Sequence, residues 1–114
     1  MKELPAVTRY RWETIEPECP QPGVIRQTVH GERQTLVRYR YAPGAVFPTH
    51  AHPEEQVTVV LRGRLALQVD GSEIVCEPGD VVVIRSAVPH GASVVGDEEV
   101  ETLNMFVPRR ERAP

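Results

Sequence analysis

Eleven prolines and eight glycines interrupt a chain of 114 residues. Proline ends a helix and glycine weakens one, so little of this chain can be helical. Between the interruptions lie short runs rich in Val, Ile, Thr and Tyr, many of them alternating with period two, which is the pattern of an all-β domain. Residues 35–42 form the clearest strand: Leu36, Arg38 and Arg40 alternate with Val37, Tyr39 and Tyr41. Residues 10–15 and 24–29 read as early strands on either side of a turn-forming stretch at 16–23. Residues 56–61 and 64–70 flank Arg62-Gly63, read as a hairpin turn. Asp70-Gly71 is a second hairpin signal, leading into 73–77. Pro78-Gly79-Asp80 turns the chain into 81–84, a run apolar on both faces and therefore expected at the centre of a sheet. Residues 91–95 and 100–107 complete the body.

The length supports one domain with one modest core. The division expected is 1–33 for N-terminal strands, including a dimer-exchange arm at 10–15, then 34–108 for the barrel and 109–114 for a tail. A net charge of −3 argues against nucleic acid, whose phosphates need a basic surface. No apolar run approaches the roughly 20 residues of a membrane span, and the N-terminus lacks the apolar run of a signal peptide. The expectation is a cytoplasmic protein with no membrane partner. Cys19 and Cys76 have no C-x-x-C spacing and are expected as free thiols in a reducing compartment.

Three of the four histidines share one short grammar: Gly44, His50-Ala51-His52, Gln56, Gly63, and later Gly79 with Pro89-His90. On an extended strand His50 and His52 leave by the same face. Gln56 keeps that parity if a strand resumes after Pro53. His90 arrives from a distant segment. Three neutral imidazoles and one amide oxygen suit one divalent metal ion such as Zn, Ni, Fe, Mn or Cu. The alternative is that these are surface loop residues beside prolines.

The segment Gly44-x5-His50-x-His52-x3-Gln56-x6-Gly63 resembles the first motif of the cupins, with Gln where Glu is usual. Gly79-x5-Arg85-x-Ala87-x2-His90 resembles the second. The resemblance covers residues 39–108 and implies a double-stranded β-helix, the jelly-roll barrel, with the metal pocket at its open end. The string from His50 to Gln56, and Val88-Pro89-His90-Gly91, further resemble small cupins of pectin and alginate breakdown that linearise 4,5-unsaturated uronates. Phe106, Pro108, Arg110 and Glu111 match the end of that pattern, and Asn104 stands where it has an acid. The resemblance implies a metal-dependent enzyme acting on a small oxygenated acid, opening and ketonising unsaturated uronates. A small homodimer that covers a sheet edge with a partner's strand is also expected.

Other side chains have candidate roles. Asn104, Arg110 and Arg38 are candidates for the catalytic apparatus, and Phe106, Tyr39 and Arg40 for substrate contacts. An inward arginine on residues 35–42 could clamp a carboxylate. The alternative is an exposed Arg38–Arg40 pair, with the tyrosines inside. Asn104 can hydrogen-bond substrate or water but takes up no proton near neutral pH. Two further function classes stay open: a metal-dependent dioxygenase or polyketide-cyclase-like enzyme, and a non-catalytic ligand-binding or sensory protein.

Overall fold

The computed structural model describes residues 5–111, so residues 1–4 of the expected N-terminal region and 112–114 of the expected tail lie outside the described residues. Ten strands follow in order: β1 (Glu18–Gln21), β2 (Val24–His30), β3 (Thr35–Tyr41), β4 (Val46–His50), β5 (Glu55–Arg62), β6 (Arg64–Val69), β7 (Ser72–Cys76), β8 (Val81–Ile84), β9 (His90–Val95) and β10 (Val100–Val107). They make a six-stranded sheet, β1-β2-β3-β10-β5-β8, and a four-stranded sheet, β4-β9-β6-β7. All pairings are antiparallel. This is the expected jelly roll: two sheets whose inner faces meet over one core.

Alternation decides which side chains enter that core. On β3 the buried residues are Thr35, Val37, Tyr39 and Tyr41, while Leu36, Arg38 and Arg40 lie on the other face. Val24, Val60 and Val100, fully or almost fully buried, extend the core across neighbouring strands, and Phe47, Leu65 and Leu67 meet them from the second sheet. Burying a side chain of this size contributes about 1.5–3 kcal/mol. The same alternation runs from His50 through His52, Glu54, Gln56 and Thr58 to Val60, each facing inward or half-buried although β4 ends at His50 and β5 starts at Glu55.

Three expectations are corrected. Residues 10–15 hold no strand: Trp12–Thr14 is a 3-10 turn. It is pinned by the buried Gln27 amide, which donates to the carbonyls of Trp12 (2.6 Å) and Ile15 (2.9 Å). The first strand instead lies inside the stretch read as a turn, at Glu18–Gln21. Second, Arg62-Gly63 is no hairpin. β5 and β6 belong to different sheets, and the chain crosses between them at Gly63. A Cβ there would stand 2.5 Å from the Glu99 carbonyl oxygen, and φ is +74°, so only glycine fits. Third, β8 is not central. It pairs with β5 at the sheet edge, leaving Val81 60% and Val83 59% exposed. Asp70-Gly71 does turn a hairpin, with Val69 opposite Ser72 and both turn residues at positive φ, the type I′ signature.

Candidate metal centre

His50 closes β4, His52 follows it by two, and His90 opens β9, directly opposite His50 in the ladder. One ring nitrogen from each of the three lies within 4.8 Å of the others. Each Nδ1 faces a backbone carbonyl: Pro48 for His50 (2.9 Å), Glu54 for His52 (3.0 Å) and Val88 for His90 (2.9 Å). A carbonyl only accepts, so each Nδ1 carries the proton and donates it. The proton-free Nε2 atoms are then the converging ones, in the tautomer a metal needs. Burial lowers the pKa of His50 and His90, partly offset by those carbonyl bonds. The neighbouring histidines and Arg110 lower both further. Neutral imidazole, the ligating form, is therefore favoured. The buried Nε2 of His90 has no hydrogen-bond partner among the described residues, which also fits a ligand atom.

The orientation of Gln56 follows from a chain of directed hydrogen bonds. Asn104 sits opposite Val37 on one side and Thr58 on the other. The Val37 carbonyl can only accept, so it takes Asn104 Nδ2 (3.2 Å), which also donates to Thr102 Oγ1 (2.9 Å). Asn104 Oδ1 must then accept, from Thr58 Oγ1 (2.7 Å) and Gln56 Nε2 (3.3 Å), and the same Nε2 donates to Thr58 Oγ1 (2.9 Å). Gln56 Oε1 is left facing His52 Nε2 at 3.1 Å. Two lone pairs at that spacing form no hydrogen bond, but they suit two donors on one cation with bonds of about 2.0–2.2 Å. The four expected ligands, His50, His52, Gln56 and His90, are thus grouped with compatible chemistry.

Around them lies a narrow cleft between the sheets, with about 30 Å³ of free space. Tyr39, Phe106, Asn104 and Arg110 all line it. Arg110 is only 3% exposed. Its guanidinium lies 4.1 Å from the centroid of the Phe106 ring, its backbone N–H donates to Thr35 Oγ1 (3.0 Å), and its Nε and Nη2 have no hydrogen-bond partner among the described residues. Burial disfavours its charge, and Tyr39 and Glu54 beside it act in the opposite sense.

Arg38 and Arg40 do not join this group. They leave β3 by the outer face, because Val37, Tyr39 and Tyr41 occupy the inner one. Arg38 donates to Glu101 Oε2 (2.5 Å) and Gln27 Oε1 (3.2 Å), with its guanidinium 5.8 Å from the Trp12 ring. They are half-buried on that outer face rather than fully exposed, and the inward arginine comes instead from residue 110. Glu54 and Thr58 were not singled out as site residues from the sequence. The available signal was parity, since both continue the every-second-residue series from His50.

The family described as Cupin domain matches residues 37–106. The fold superposes on KdgF from Halomonas sp. with a TM-score of 0.84 at 23% identity, covering 93% of this chain and 97% of that one. An RmlC-like cupin from Shewanella frigidimarina gives 0.81 at 29% identity, covering 90% and 91%. A mutant of Bacillus subtilis oxalate decarboxylase OxdC gives 0.81 at 18%, covering 97% of this chain and 32% of that one. No curated protein matches the sequence. A family match over most of the chain agrees with the two-sheet topology and the three-histidine group: the chain belongs to the cupin family.

Proposed function

We propose that the protein is a metal-dependent enzyme acting on a small oxygenated acid, and that its substrates are 4,5-unsaturated uronates, which it opens and ketonises. The observation that carries this reading is Arg110, a buried guanidinium whose Nε and Nη2 have no hydrogen-bond partner among the described residues, lining the same cleft as His50, His90 and Gln56. A carboxylate is the group that matches a guanidinium fork. Support also comes from the resemblance of the His50–Gln56 string, and of Phe106, Pro108, Arg110 and Glu111, to the uronate-linearising cupins. His50, His52, His90 and Gln56 would hold a divalent ion, which would supply Lewis-acid polarisation of substrate oxygens, undiminished because all four ligands are neutral. The chain's own residues then do the rest. Arg110 orients the carboxylate, Phe106 gives a flat apolar wall beneath the guanidinium, and the two sheets limit water. Asn104 moves no proton, so proton delivery falls to a cleft-lining hydroxyl such as that of Tyr39, or to solvent.

The test is an assay of metal-reconstituted protein on unsaturated uronates, followed by absorbance of the conjugated double bond. The expected result is loss of absorbance with the metal-loaded protein and none with the metal-free control. No loss with any of Zn, Ni, Fe, Mn or Cu sinks this reading.

One observation favours a second reading. Both ends of the Asn104 amide are taken up by hydrogen bonds within the chain, so the position that resembles an acid in the uronate enzymes serves structure here. A dioxygenase or a cyclase acting on an enolisable compound has no need of that acid. Oxygen consumption with iron- or copper-loaded protein separates a dioxygenase from uronate opening, which consumes none.

A further inference from the structure

We infer that Glu54 is a positioning residue shared by both halves of the site: its carboxylate offsets the charge of Arg110 and supports His52 as a metal ligand. The inference rests on the metal-centre reading above. Glu54 is the one buried carboxylate among the described residues, 8% exposed. It does not line the cleft but lies behind it, with Oε1 3.4 Å from His52 Nδ1 and 3.8 Å from Arg110 Nε. Neither contact is a hydrogen bond. The Nδ1 proton of His52 goes to the Glu54 backbone carbonyl, and Glu54 Oε1 and Arg110 Nε are both buried without a hydrogen-bond partner among the described residues. The carboxylate therefore acts through its charge, in surroundings where little water screens it.

Arg110 makes that charge necessary. Its guanidinium lines the same cleft as His50 and His90. A dipositive ion on those imidazoles would meet its repulsion. Glu54 supplies the opposing charge from behind His52, and its backbone carbonyl fixes the tautomer of that ring. Glu54→Gln keeps the carbonyl and nearly the shape, so it removes the charge alone.

Charge balance and packing damage predict different signs. If Glu54 and Arg110 offset each other, removing the carboxylate weakens metal binding and removing the guanidinium tightens it. Removing both then returns affinity toward the starting value. Packing damage gives two losses that accumulate. The experiment is calorimetric titration of Zn²⁺ into metal-stripped wild type, Glu54→Gln, Arg110→Gln and the double variant, each checked for fold by circular dichroism. Glu54→Gln is expected to bind about tenfold more weakly, in the range seen when groups behind metal ligands are changed. Arg110→Gln is expected to bind tighter than wild type, and the double variant to lie between the two singles. Equal affinity of Glu54→Gln and wild type, or weaker binding by Arg110→Gln, overturns the inference. If Glu54→Gln does not fold, the sign for Arg110→Gln decides alone. A wild type that takes up no zinc overturns the metal-centre reading, and this inference with it. Binding by wild type with the wrong signs in the variants overturns this inference only.

Discussion

Each imidazole of the centre hands its Nδ1 proton to a carbonyl two residues away, at Pro48, Glu54 and Val88. These bonds leave the rings little freedom before any ion arrives, and they point three lone pairs at one place. Replacing His52 by Ala removes the donor nearest Gln56 and should abolish stoichiometric metal uptake. Elemental analysis of the purified variant is the check, and wild-type metal content would contradict the assignment. The histidines were legible in the sequence because a spacing of two fixes parity whatever the tertiary context. The orientation of the Gln56 amide was not. It is dictated by the Val37 carbonyl acting through Asn104, a relay across three strands that no local pattern encodes. Arg38 and Arg110 show the same limit: a sequence places arginines on a face, but packing decides which face turns inward.

Strands were easier to find than their partners. Most runs bounded by Gly and Pro proved to be strands, yet Arg62-Gly63 misled as a hairpin and 81–84 as a central strand. A local turn signal says that the chain changes direction, not which sheet it joins. Alternation turns Val81 and Val83 of β8 to the outer face of the sheet, opposite the buried Ile84, and the edge position leaves them largely exposed. The crossing at Gly63 gives a prediction at this scale. Gly63→Ala forces a Cβ against the Glu99 carbonyl at positive φ and should cost upward of about 2 kcal/mol. Gly44→Ala, at φ +82° with no atom near the added carbon, should cost only the backbone penalty of about 1–2 kcal/mol. Urea denaturation of the two variants is the measurement. Equal losses would mean that the close approach at Gly63 does not matter.

The whole molecule carries the site's protonation as a stability term. Folded His50 and His90 have pKa values below that of free imidazole, chiefly through burial, and His30 shifts the same way for the same first cause. An unfolded chain titrates them near the ordinary value of about 6.5. Below that pH the unfolded state binds more protons than the folded one, so stability falls as pH falls. Metal-free protein should therefore show a urea midpoint that is steady well above about pH 6.5 and drops through that value as the medium is acidified. A midpoint that is unchanged or rises on acidification would contradict the assignment. At this scale the all-β class and the jelly roll were legible, since punctuation and period two reflect the whole chain. The N-terminal 3-10 turn was not, because Gln27 holds it from a strand twelve or more residues away.

Inward-facing positions continue from His50 to Val60 through the end of one strand, a bend and the start of the next. Insertions and deletions here are therefore tolerated by twos. One extra amino acid after His52 would rotate Gln56, Thr58 and Val60 to the outside and bring Glu55, Val57 and Val59 against the histidines. Length variants of this segment that keep a working centre should change by an even number.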